Sequence, residues 1–318
     1  MINFIIYITL LLTGFPAPPC NVSQGRHFFE MNEIKPFFTY QEQINQLGVH
    51  GCIVEDEVLA RRILSQVNYY RFSAYFLPFK QSNGEYKQGA SFNTVYRIYE
   101  FDRKLRAMLF TAIARIEVFL RSRFAYYHAE NYGPLGYLDA SCFAANGHKH
   151  EHFLKQIEDV INRNDKILFV RHHIQKYDRR FPVWVITELF TFGMLSRFYA
   201  DMKTRDQKKL AKNIFGLNPK KMKSWLRCCT DLRNNCAHHG RLYYRIFPAA
   251  PDGFDYLDEK CKRRLSPLLL ILKLFYPVES DWENEIFNPL CALIDVSYEN
   301  ALFKKDKDVA MSRNVDTL

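Results

Sequence analysis

Chain-breaking residues are scarce here. Only 13 Gly and 13 Pro punctuate 318 residues, too few for the closely spaced turns of a sandwich or barrel. No C-x-x-C pair occurs among the eight cysteines at 20, 52, 142, 228, 229, 236, 261 and 291. That removes the close-spaced ligand pair of a zinc module and gives no sign of a disulfide framework. Reduced thiols of a cytoplasmic protein fit this usage. Cys229, Cys236 and His238 are the nearest approach to a metal set, but without the usual ligand pairs neither a metal nor a cofactor is expected. Apolar runs of membrane length are missing too. Ile5 to Leu12 is too short to span, and no Lys or Arg precedes it as in a signal peptide. The run from Leu268 to Phe275 is interrupted by Lys273. No membrane partner is expected.

Residues 1–30 read as a leader or an upstream extension. Met31 opens a more ordinary start, residues 31–300 read as a single α-helical domain, and residues 301–318 read as a mobile tail.

What the chain does have is apolar mass at helical spacing. It is 48% hydrophobic and 15% aromatic, enough to bury a sizeable core. Apolar residues at 58, 59, 63, 67 and 70 recur on a three-four spacing, which predicts one helix over 55–75. Ser91 is positioned to cap a long run of one or two helices that stops near Gly133-Pro134. Further helices are expected over 151–177, broken at 162–165, then after Pro182, over 204–215, over 219–244, over 263–276 and over 281–294. Gly193, within the helix after Pro182, marks a kink or a close packing. The fold class is all-α, a helical bundle.

The net charge of +10 points to a polyanionic partner. It is concentrated between Asp201 and Arg245, where twelve Lys and Arg face three Asp. At the end of that segment stands DLRNNCAHHGRLYYR, residues 231–245. Placed on a helix, Asn234, His238, Arg241 and Arg245 fall at i, i+4, i+7 and i+11, a polar and basic stripe. Leu232, Cys236, Tyr243 and Ile246 form the other face with His239 among them, as a packed or supporting histidine. Arg233 flanks the polar stripe within reach of it. Tyr243 and Tyr244 read as core or rim rather than as stacking platforms.

An Arg and a His around one phosphate suit RNA cleavage. Imidazole moves protons near neutral pH, and guanidinium holds a phosphate in a bidentate fork. Attack by a ribose 2′-hydroxyl leaves a 2′,3′-cyclic phosphate and needs no metal. The spacing alone is a loose pattern, because Arg123 and His128 in RFAYYH repeat the same gap. Their apolar and aromatic surroundings mark that pair as helix packing.

Five ordered blocks carry more information than one Arg–His gap. KPFFTYQEQINQL, VNYYRFSAYFLPF, the run from YEFDRKLRAM through ARIE to PLGYLD, FPVWVITELFTFGMLSRFY and LRNNCAHHGRLYYR together resemble the Abi-like abortive-infection proteins of AbiD/AbiF type, over about residues 34–247. Those proteins look like members of the HEPN superfamily. The resemblance implies an α-helical, often dimeric, metal-independent endoribonuclease acting in phage defence, in some members held in check by a partner RNA. It implies a catalytic set of Arg233, Asn234 and His238, matched residue by residue, with Glu117 in ARIE as a supporting group.

The expected roles follow. His238 is the general acid or base, Arg233 the phosphate clamp and Asn234 the orienting group. Arg241, Arg245, Lys220, Lys221, Lys223 and Arg227 form the RNA track. One histidine per chain is a thin acid–base set, so a homodimer joining two such helices is the natural assembly. The rival reading is a non-catalytic RNA-binding toxin–antitoxin module controlled by a structured RNA, which needs the basic face but not His238. A metal-dependent nuclease needs clustered carboxylates, and around His238 there is only Asp231.

Overall fold

A computed structural model describes residues 36–299. The readings made for residues 1–30 and 301–318 therefore lie outside the described residues. The all-α expectation holds: helices account for most of the described chain and it contains no strand, only isolated bridges. The described residues divide into two compact units, one of residues 36–105 with 290–299, the other of Arg106–Pro289.

The first unit holds α1 (Tyr40–Val49), α2 (Glu57–Gln66) and α3 (Tyr69–Ser73). The single helix expected over 55–75 is two. Val67 turns extended, and the Asn68 side chain accepts from Tyr70 N at 2.8 Å to start the second, a cap that competes with continuing the helix. Tyr75 donates its hydroxyl to Asp102 at 2.6 Å in the buried interior.

The helix α4 (Phe92–Tyr132) is one uninterrupted run of 41 residues. Ser91 caps it, accepting from Thr94 N at 3.2 Å, and Gly133 at φ +76° ends it. Residues 106–132 belong to the second unit. There Leu109, Ile113, Ile116, Leu120 and Phe124 are wholly buried, a three-four stripe worth roughly 1.5–3 kcal/mol per side chain.

The remainder of the second unit follows that helix in the chain. It comprises α5 (His150–Arg163), α6 (Leu168–Lys176), α7 (Val183–Ile186), α8 (Phe192–Asp201), α9 (Thr204–Phe215), α10 (Pro219–Ala237), α11 (Glu259–Lys262), α12 (Leu265–Phe275) and α13 (Glu279–Trp282). The helix expected after Pro182 is broken. A 3₁₀ turn at Thr187–Leu189 follows α7, and Thr191 starts α8 by accepting from Met194 N at 3.3 Å. Gly193 falls in the first turn of α8 rather than inside a continuous helix. It faces α10, where an added Cβ would make ordinary van der Waals contact with Thr230 at 3.5 Å, so the packing there is not tight enough to require glycine. The last expected helix is divided as well: a π turn over Glu283–Phe287 separates α13 from α14 (Asn288–Glu299) of the first unit.

The helix α10 is fixed from its start. Gly216 at φ +65° closes α9, Asn218 accepts from Lys221 N at 2.9 Å, and Pro219 occupies the first turn. Met222, Trp225, Leu226, Cys229 and Leu232 point inward. Helices α8, α9 and α12 pack against α10, leaving one of its sides to solvent.

Candidate functional site

The expected helix over 219–244 stops at Ala237, and His238 is its cap residue. This corrects the four-residue stripe. Asn234 and His238 do share a face of α10, about 40° apart on the helix, and both are exposed. Arg241 and Arg245 lie beyond the helix, where His239 (φ +56°) and Tyr244 (φ +59°) turn the chain.

Asn235 causes the stop. Its buried side-chain amide donates to Gly240 O at 3.1 Å and Arg241 O at 3.3 Å, while Gly240 N donates to Asn235 O at 2.7 Å. A Cβ on Gly240 would lie 2.2 Å from Asn235 Oδ1, so only glycine fits. Sequence reading missed this clamp, and its signal was the Asn followed five residues later by Gly.

The apolar-face assignment changes with the turn. Leu232, Cys236 and Tyr243 are buried, as expected, but Ile246 is 51% exposed. His239 was expected among packed residues. It is exposed at a left-handed backbone position, because the helix that would have turned it inward ends two residues earlier. Tyr244 is a rim residue under Arg264, whose guanidinium carbon stands 4.8 Å from its ring.

Arg233 departs from the flank of α10 toward α4. Its Nε lies 3.5 Å from Glu117 Oε2, and its Nη1 donates to Asn234 Oδ1 at 3.5 Å. Glu117 is 6% exposed. Its other oxygen accepts from Arg121 Nη2 at 2.6 Å, and the same Nη2 donates to Phe190 O at 2.7 Å. One buried carboxylate thus hydrogen-bonds Arg121 and ion-pairs with Arg233, whose Nε has no hydrogen-bond partner among the described residues, and the trio carries a net positive charge. Arg121 was not anticipated, although it stands four residues after Glu117 on one helix face.

The basic track is brought together in part. Lys220, Lys223 and Arg227 are exposed on the same side of α10 as Asn234 and His238. Lys220 also pairs with Asp252 at 3.2 Å. Lys221 leaves this face and lies against the Gly253 turn, where a Cβ would meet its Cε at 2.5 Å. Arg245 is half-buried. It faces Asp231, whose carboxyl burial raises above its usual range while Arg227 and Arg245 pull it back down. Its guanidinium stands 5.6 Å from the Phe247 ring.

Cys229 is fully buried and its thiol is pushed well above its ordinary range by desolvation. Among the described residues no three His, Cys, Asp or Glu converge as a metal set. No helix of the described residues is long and apolar enough to cross a membrane.

The site lies within the span of a known family. A family model described as Abi-like protein matches residues 62–244. The chain belongs to the Abi-like family. Within this Abi-like protein the match takes in Glu117, Arg121, Arg233, Asn234 and His238, and stops short of Arg245. Membership supports a role in abortive infection, that is, in phage defence. No curated protein and no solved structure gives a significant match.

Proposed function

We propose that this Abi-like protein is a metal-independent endoribonuclease of HEPN type, cleaving RNA to 2′,3′-cyclic phosphate ends. The observation that carries the reading is Arg233 held by the buried Glu117, on the same helix that exposes Asn234 and His238 at its end. An anchored guanidinium loses little entropy when it takes a phosphate, and it opposes the charge that grows on the pentacoordinate phosphorus. The exposed imidazole of His238 is free to reach a 2′-hydroxyl or a leaving 5′-oxygen. Asn234 offers an amide to the phosphate or to the histidine. Lys223 and Arg227 continue the positive face along α10 and draw in the RNA backbone. One histidine does not supply both an acid and a base, so a homodimer brings the second. A monodisperse monomer that still cleaves would remove that part of the reading.

The exposed Lys220, Lys223 and Arg227 also favour a second reading, a binding module that sequesters or answers to a structured RNA, since that face needs no histidine. The separating experiment incubates wild type and His238→Ala with total cellular RNA in EDTA and maps the ends. Cyclic-phosphate ends from wild type alone establish the nuclease. Tight binding by both proteins without new ends establishes the binding module.

A further inference from the structure

One cleft in the second unit is left unused by this chemistry. Its volume is about 580 Å³, within the range of ligand sites. Arg121 lines it, as do Ala125 and Ala129 one and two turns further along α4. Those two small side chains leave a flat floor. Tyr126 of α4 and Trp184 of α7 form aromatic walls, 66% and 51% exposed. Trp225 and Trp282 are both buried, so Trp184 is the one exposed tryptophan of three.

Charge decides what kind of group fits. Glu130 and Glu188 line the cleft, and Glu188 Oε2 stands 3.9 Å from Arg121 Nη1. Arg121 is already committed to Glu117 and the Phe190 carbonyl. The lining is therefore rich in acceptors and poor in free positive charge, the opposite of a phosphate site. A neutral, flat group with N–H donors on its edge suits it. Aromatic faces stack a nucleobase, and a carboxylate accepts two parallel N–H bonds.

We propose that this cleft binds a guanine base of the RNA whose phosphate Arg233 holds. Guanine presents N1–H and its exocyclic amino group side by side, matching the two oxygens of a carboxylate. Uracil presents one N–H between two carbonyls, which a carboxylate repels. The link to the phosphate is Glu117, which bridges the guanidinium lining the cleft and that of Arg233. The cleft thus gives the candidate nuclease a base preference. Its placement on the RNA rests on the ribonuclease reading; its binding test does not.

The experiment titrates the full chain with GMP, AMP, CMP and UMP while reading tryptophan emission, with calorimetry in parallel. GMP quenches Trp184 saturably and binds at least about tenfold tighter than UMP. Trp184→Leu weakens GMP by about tenfold by calorimetry, the worth of one stacked base. Glu188→Gln erases most of the GMP-over-UMP preference. Equal binding of all four nucleotides, no saturable quench, or an emission shift that follows protein concentration overturns the proposal; the last would mean that a second copy covers the face. Cleavage lost in His238→Ala without any GMP quench sinks the base site and keeps the nuclease. GMP quench with no cleavage by wild type keeps the base site and sinks the nuclease.

Discussion

Arg123–His128 and Arg233–His238 share a gap of five residues and have opposite fates. The first pair lies inside α4. Arg123 reaches solvent while His128 is 1% exposed, against Phe143, Phe198 and Tyr132. The second pair straddles a helix end. There Arg233 is drawn back to a buried carboxylate, and His238 emerges where the helix stops. Five residues on a helix separate two side-chain directions by about 140°, so only a long side chain such as arginine can reach round to a group that the histidine contacts. As the cap of α10, His238 keeps its place on the face of Asn234 and is exposed there. The comparison teaches that the same gap buries its histidine inside a continuous helix and presents it to solvent at a helix cap.

The largest effect should separate the two histidines. His238→Ala should cut RNA cleavage by about a thousandfold or more, the share of a lost acid or base, with thermal stability hardly moved. His128→Ala should do the reverse: cleavage per folded molecule unchanged, and about 2–4 kcal/mol of stability lost to the cavity. Endpoint mapping and urea unfolding read the two quantities. Equal effects on cleavage would break the comparison.

Next comes the helix stop itself. Gly240→Ala would place a methyl 2.2 Å from Asn235 Oδ1 and expel the amide that holds the carbonyls of Gly240 and Arg241. Two buried hydrogen bonds and the displacement amount to about 2–3 kcal/mol. Gly133→Ala has open space and only its φ of +76° against it, so it should cost about 1 kcal/mol. If both cost the same, the Asn235 clamp is not what ends α10.

The fold class and most helix positions were legible because apolar side chains recur at helical spacing and a cap such as Ser91 precedes them. The end of α10 was not. Apolar residues continue through Tyr243 at the right spacing, no proline intervenes, and the stop depends on where one asparagine side chain donates. The break at Thr191 was hidden in the same way inside a continuous apolar run. In the site, residue type pointed to an Arg and a His around one phosphate, and the set of Arg233, Asn234 and His238 came from the family resemblance. The Glu117 link to Arg233 required two helices to meet, and Arg121 as the third member required knowing which face of α4 they meet on.

Acid sharpens the difference between the histidines by a smaller amount. Burial lowers the His128 pKa from 6.5 to about 4. The folded state therefore binds fewer protons than the unfolded chain between those values. Its stability is full above about pH 6.5 and is lost as pH falls toward about 4, by up to about 3 kcal/mol. Between pH 7 and 5 this one group should cost about 2 kcal/mol. His128→Phe fills the same aromatic nest without a proton to gain, so its urea midpoint should fall less over that interval. An unchanged slope would mean that the His128 proton is not being excluded.

Removing charge but not shape at the bridge tests the arginine half. Glu117→Gln should leave α10 in place and let the Arg233 guanidinium wander, costing about ten- to hundredfold in cleavage through lost positioning. Unchanged cleavage would show that Arg233 does not need its anchor.

The smallest effect concerns the face that the rival pair lacks. Lys223 and Arg227 are exposed on the His238 side of α10, and neither has a role in the chemistry itself. Each alanine substitution should weaken RNA binding about equally across sequences and reduce the slope of log affinity against log salt by roughly one. Arg123 is also exposed and cationic, yet the histidine at its gap, His128, is buried. Arg123→Ala should therefore leave the slope unchanged. A drop as large as that of Arg227→Ala would mean that the RNA follows overall charge rather than the line of residues that ends at His238.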